Sequence, residues 1–119
     1  ERLKERGIRT SIFVNPDDNA IRLAAKAGAD RVELYTEPYA TMYPDDAEAA
    51  IAPFVQSAVT AHKAGLGVNA GHDLSLVNLA YFHRMIPWTD EVSIGHAIIC
   101  DALYIGLKNT IEAYLQCLK

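Results

Sequence analysis

The chain has 119 residues, half of them hydrophobic and 22% charged, with a formal net charge of −4. That is enough for one core but not for two domains. The acidic balance speaks against nucleic acid or an anionic membrane surface as partners, and no apolar run reaches transmembrane length.

Glu1 to Arg6 reads as the last turns of a helix, with Gly7 as its left-handed cap. A chain that opens inside a helix, without an initiator Met, is expected to be a piece of a longer one. Ile8 to Val14 is a β-branched and aromatic run, hence a strand. Asn15-Pro16-Asp17-Asp18 then supplies an N-cap, an early helical proline and acidic first-turn residues. Ile21, Ala24, Ala25 and Gly28 follow at helical spacing.

Arg31 to Tyr35 is the second strand, with Val32 and Leu34 alternating against Glu33. Thr36 to Pro44 reads as a loop, and its Tyr39 and Tyr43, with Tyr35, either pack, as loop aromatics usually do, or form a lid over a ligand. A long helix is predicted from about Asp46 to Ala64, with the stripe Ala47, Ile51, Phe54, Val55 and Ala58, closed by Gly65. Leu66-Gly67-Val68 opens a third strand that ends in Asn69-Ala70-Gly71-His72-Asp73. Ser75 is the predicted N-cap of a short helix carrying Val77, Leu79, Ala80 and Phe82, stopped before Pro87. Glu91 to Ile94 is a fourth strand. A helical pattern then runs from His96, breaks at Gly106, and resumes through Ile111, Tyr114, Leu115 and Leu118. Cys100 and Cys117 fall in helical patterns without paired spacing, which points to a reducing, cytoplasmic setting.

Repeated βα units with short connections imply parallel strands with helices outside. Two architectures fit: a doubly wound sheet, or part of a (β/α)8 TIM barrel. Four strands cannot close a barrel and would leave two exposed edges. The barrel reading therefore places a missing half before Glu1 and makes residues 1–119 the last four βα units. It also explains Gly95-His96, because a glycine turn after a late strand, feeding a helix, is the recurring phosphate site of barrels.

The candidate chemistry gathers at two strand ends. Val68-Asn69-Ala70-Gly71-His72 is echoed by Val92-Ser93-Ile94-Gly95-His96, so two imidazoles and two glycine backbones should share one rim. An imidazole titrates near neutrality and can deliver a proton to a departing oxygen. Gly95-His96 could bind phosphate through free N–H groups and the helix dipole, or be only a turn. Glu33, opposite Val32 and Leu34, should point into the barrel, where a carboxylate is hydrogen-bonded, ion-paired or used. His62 and His83 read as helix residues of surface or packing type. No histidine or cysteine spacing suggests a metal site.

The runs RVELYTEPYA (Arg31 to Ala40), GLGVNAGHDL (Gly65 to Leu74) and SIGHAI (Ser93 to Ile98) resemble pyridoxine 5′-phosphate synthase. The resemblance covers essentially the whole chain, in order, as the C-terminal half of that enzyme. It implies a (β/α)8 barrel, typically a homo-octamer, with no cofactor. The implied reaction condenses 1-deoxy-D-xylulose 5-phosphate with 3-amino-2-oxopropyl phosphate, releasing phosphate and water. By the same resemblance His72 matches the proton donor and Glu33 the transition-state-stabilising carboxylate. Asp73 falls on a contact to the amino-ketone phosphate, and Gly95 and His96 match the pair that holds a phosphate. Some members carry Gly where this chain has Asp73, a change that a backbone N–H contact tolerates. The family's other acid/base groups, a His and a Glu, lie in its N-terminal half with most of its phosphate-binding arginines.

Two other classes stand beside this one. A different phosphate-binding barrel enzyme, an isomerase or aldolase, is one; a Schiff-base aldolase needs a strand lysine, and the lysines here all fall in helical segments. A non-catalytic half-barrel that only supports assembly is the other.

Overall fold

The computed structural model describes residues 2–119, so the part of the opening helical pattern that rests on Glu1 lies outside them. Lys4–Arg6 form a single 3-10 turn, and Gly7 ends it at φ 68 with its N–H on the Lys4 carbonyl. Four strands follow: β1 (Ser11–Val14), β2 (Arg31–Leu34), β3 (Gly67–Gly71) and β4 (Thr89–Ser93). Among the described residues six α-helices lie between and after them, α2 with α3 and α5 with α6 in succession: α1 (Asp18–Lys26), α2 (Glu37–Met42), α3 (Ala47–Lys63), α4 (Leu79–Met85), α5 (His96–Ile105) and α6 (Leu107–Gln116). All three pairings are parallel, and the sheet order β1-β2-β3-β4 is the chain order. A doubly wound sheet reverses its order at a switch point; this one winds in a single direction.

The α3 boundaries follow the sequence pattern closely. Asp46 caps the helix by accepting from the Ala49 N–H at 2.9 Å. Gly65, at φ 75, turns the chain so that the Leu66 N–H reaches back to the Ala61 carbonyl. Ile51, Phe54, Ala58 and Ala61 recur three or four residues apart and are buried. Pro53 is tolerated inside α3 because it sits on the exposed side, where a freed carbonyl meets water.

Three expectations need correction. The loop predicted for Thr36 to Pro44 contains α2; Pro38 lies in its first turn, where the missing N–H breaks no helical bond. Pro16 lies before α1 and not early within it; the stretch does supply the cap, Asp17, which accepts from Ala20 at 2.9 Å, while the Asn15 carbonyl accepts from the Asp17 N–H in a tight turn off the strand. The helix expected from Ser75 begins at Leu79. Ser75 instead opens a turn in which its N–H donates to Asn78 Oδ1 and its carbonyl accepts from the Leu79 N–H.

The core lies between the sheet and the helices. Val32 and Leu34 of β2 and Val68 and Ala70 of β3 pack there with Ile21, Ile51, Phe54, Leu79, Phe82 and Ile86. Tyr39 is fully buried among Phe54, Phe82 and Tyr43, with ring centroids 5.2 to 5.8 Å away, and its hydroxyl donates to the Asn78 carbonyl at 2.7 Å. Tyr39 and Tyr43 are therefore packing residues and not a lid. Tyr35 lies on the other side of the sheet, edge-on to Phe13. That opposite face carries Phe13, Glu33, Asn69 and Glu91 in one register row, and Phe13 is 58% exposed.

Candidate active site

The C-terminal ends of β2, β3 and β4 form one rim. Gly71 closes β3 against β4 so tightly that a Cβ on it would stand 2.2 Å from the Ser93 carbonyl oxygen. The next N–H, of His72, donates to that same carbonyl at 2.8 Å. His72 then takes φ 34, the one positive φ outside glycine among the described residues. This left-handed turn ends the strand and swings the ring out over the rim, where the side chain is 66% exposed.

His96 is the first residue of α5, directly after Gly95. Its ring meets that of His72 edge to face, with centroids 5.7 Å apart. The two Gly-His copies do bring their imidazoles together. The first N–H groups of α5 open at the same place, beside a shallow depression lined by Gly95, His96, Ile99 and Cys100.

Asp73 extends from β3 towards β2. Its Oδ1 lies 3.3 Å from His72 Nδ1. Its backbone N–H and its Oδ2 both approach the Thr36 hydroxyl at 3.4 Å. Thr36 is 1% exposed, and its single hydroxyl proton goes to the much closer Gly71 carbonyl. Thr36 thus ties the end of β2 to the glycine turn of β3. Sequence reasoning missed it, because a lone Thr after a strand carries no signal of its own.

Glu33 lies on the open face of β2, half-buried and away from the core, as the alternation with Val32 and Leu34 implies. It has no ion-pair partner among the described residues. It sits level with Asn69, three residues before His72 on β3. Strand rise makes that roughly 10 Å along the sheet, so the two side chains do not touch directly.

Beside Glu33 the same face holds a polar cluster that the sequence did not announce. Arg31 Nη1 donates to Asn69 Oδ1 at 2.9 Å and lies 3.1 Å from Glu91 Oε2. Asn69 Nδ2 donates to Glu91 at 3.1 Å, and Arg9 clasps both Glu91 oxygens at 2.8 and 2.9 Å. Chiefly through the Arg9 hydrogen bonds, the Glu91 carboxyl is held below its ordinary range. Asp90 is the extra residue of a bulge in β4, and its Oδ2 accepts from the Val68 N–H at 2.8 Å. Among the described residues no group of three or more His, Cys, Asp or Glu is placed to hold a metal ion.

Comparison with known proteins gives this rim a family. The chain is 68% identical over 113 residues to a pyridoxine 5′-phosphate synthase of Bacteroides thetaiotaomicron, spanning 95% of this chain and 48% of that protein. It is 70% identical over 113 residues to the protein of that name from Phocaeicola vulgatus, again 95% of this chain and 48% of the relative. With the one from Christiangramia forsetii it is 53% identical over 116 residues, 98% of this chain and 49% of the relative. The chain spans about half the length of the curated relatives it matches. A family model described as pyridoxal phosphate biosynthesis protein PdxJ matches residues 1–119, and the chain belongs to that family.

Proposed function

We propose that residues 1–119 are the C-terminal four βα units of a (β/α)8 barrel and form part of the active site of a pyridoxine 5′-phosphate synthase. The single-direction winding supports the barrel, as does a sheet with one face packed on helices and the other partly polar. The meeting of His72 with His96 at the rim is the observation that carries the functional reading. The substrates are 1-deoxy-D-xylulose 5-phosphate and 3-amino-2-oxopropyl phosphate, and the products include phosphate and water. No cofactor enters. The remaining acid/base groups come from an N-terminal half of the same protein, which assembles as a homo-octamer in the cytoplasm.

Each role follows from the chemistry of its position. His72 is the proton donor: its ring is exposed at the rim, and a protonated imidazole can give Nε2–H to a departing hydroxyl or phosphate oxygen. Gly95 and His96 hold a phosphate, using the N-terminus of α5 and its convergent N–H groups. Asp73 contacts the amino-ketone phosphate through its backbone, since its carboxylate is turned to His72 and Thr36. Glu33, an unpaired carboxylate on the face that would line the barrel, stabilises a cationic imine intermediate.

The test uses the full-length protein. His72→Asn is expected to keep the fold and lower turnover by about 10² to 10⁴-fold, with much smaller changes in substrate dissociation constants. Glu33→Gln, nearly isosteric, is expected to slow chemistry while both phosphates still bind. Near-normal turnover in the His72 variant places the proton donor elsewhere. A Glu33 variant that loses its fold with no separable kinetic effect supports a structural salt bridge instead.

A further inference from the structure

The Asp73 carboxylate does something that a backbone contact to phosphate does not require. Successive side chains of a strand point to opposite faces. The left-handed turn at His72 breaks that alternation and lays the imidazole and the Asp73 carboxylate side by side, 3.3 Å apart. The two partners are unequally held. The His72 side chain is 66% exposed and Asp73 only 23%. The turn beneath Asp73 is fixed at three points: Thr36 holds the Gly71 carbonyl, the Leu74 N–H donates to that carbonyl at 3.2 Å, and Asn78 Nδ2 donates to the Asp73 carbonyl at 3.3 Å. Leu74 is fully buried and anchors the segment in the core.

Resting on the functional reading above, we infer that Asp73 is a positioning residue for His72, its carboxylate accepting Nδ1–H so that Nε2 faces the reacting oxygen. An imidazole's tautomer is set by the bond its other nitrogen makes. The same bond holds the ring in place behind a donating Nε2, the arrangement found behind histidines that shuttle protons. In the donating step the Nε2–H bond breaks and its electron pair stays on the ring. The proton passes to the departing oxygen, and the neutral ring is left with Nδ1–H still on Asp73. Thr36 acts one step further back, by fixing the turn that carries Asp73.

The experiment is run on the full-length protein with labelled histidine, using magic-angle-spinning NMR at a pH where the His72 ring is neutral. His72→Asn identifies its signals. The wild-type ring is expected to carry its proton on Nδ1. Asp73→Ala, which keeps the backbone N–H, is expected to move the proton towards Nε2. The same variant should lower kcat about tenfold or more, as when the carboxylate behind a proton-shuttling imidazole is removed. KM for either phosphate substrate should stay within about twofold. A wild-type neutral ring protonated on Nε2 overturns the proposal without reference to any variant. So does an Asp73→Ala enzyme whose KM for the amino-ketone phosphate rises while kcat holds, because the carboxylate then touches substrate. If wild-type protein forms no pyridoxine 5′-phosphate, the functional reading fails, and the ring tautomer still decides the His72–Asp73 pair on its own.

Discussion

Asp30 shows how a single side chain can tie the sheet to the segment before it. Its Oδ2 accepts from the Thr10 N–H at 2.7 Å and from the Thr10 hydroxyl at 2.8 Å, and Lys4 Nζ lies 3.0 Å from its Oδ1. The Thr10 backbone N–H, then Lys4 and the Thr10 hydroxyl, lower its carboxyl from an ordinary 3.8 to about 2. A depressed carboxyl means that the unfolded chain binds the proton more readily than the folded one. The resulting stability is therefore present above about pH 4 and is lost as pH falls towards 2. With the side chain one-third exposed, salt should weaken the effect. Urea midpoints of the full-length protein should fall less steeply between pH 4 and 2 in Asp30→Asn than in wild type; an identical acid limb would refute this. None of these contacts shows in the sequence, since Thr10 and Asp30 stand twenty residues apart. His72 and His96 were legible because an internal echo set both at strand ends. Thr36, whose meaning comes from a carbonyl thirty-five residues away, was not.

Among the elements, the β3–β4 pair leaves the least room. A Cβ at Gly71 would meet backbone, which cannot rotate aside as a side-chain tip can. Gly71→Ala should therefore push the strands apart and destabilise the full-length protein by roughly 1 to 3 kcal/mol, the usual range for overpacking. At Gly95 an added Cβ meets nothing within 4 Å, so Gly95→Ala should change stability by no more than about 0.5 kcal/mol. Denaturant unfolding of the two variants side by side checks the contrast, and equal losses would show that β3 and β4 can yield. Element type and order followed from hydrophobic period, with Asp46 and Gly65 marking α3 at both ends. The misses were one short helix, α2, read as a loop, and boundaries where two local signals compete. Pro38 looks like a breaker but suits a first turn, and Asn15, Asp17, Ser75 and Asn78 all have side chains able to cap. Only the path of the chain over the rim decides among them.

For the molecule as a whole, edge and apolar surfaces stand open that a completed barrel, on the reading proposed above, would cover. β1 and β4 each have an unpaired edge, Phe13 projects from the open sheet face, and Leu103, Tyr104 and Leu107 are exposed around the α5–α6 corner. Residues 1–119 purified alone should accordingly self-associate and make no pyridoxine 5′-phosphate, while a separately made N-terminal half should restore some activity. Light scattering and a product assay decide this, and product from a monodisperse monomer would contradict both the half-barrel and the division of catalytic groups. The strand order has a kinetic side as well. Paired residues in successive strands lie 20, 36 and 21 to 22 positions apart, so each pairing closes a loop of modest length. Closure entropy grows only slowly over that range, and sheets built from near neighbours fold faster than those built from distant ones. The four strands can thus pair one after another along the chain. On the half-barrel reading proposed above, what is slow would be left to the seam with the other half: a late loop closure in one intact chain, and a second-order collision, dependent on concentration, in a chain cut in two.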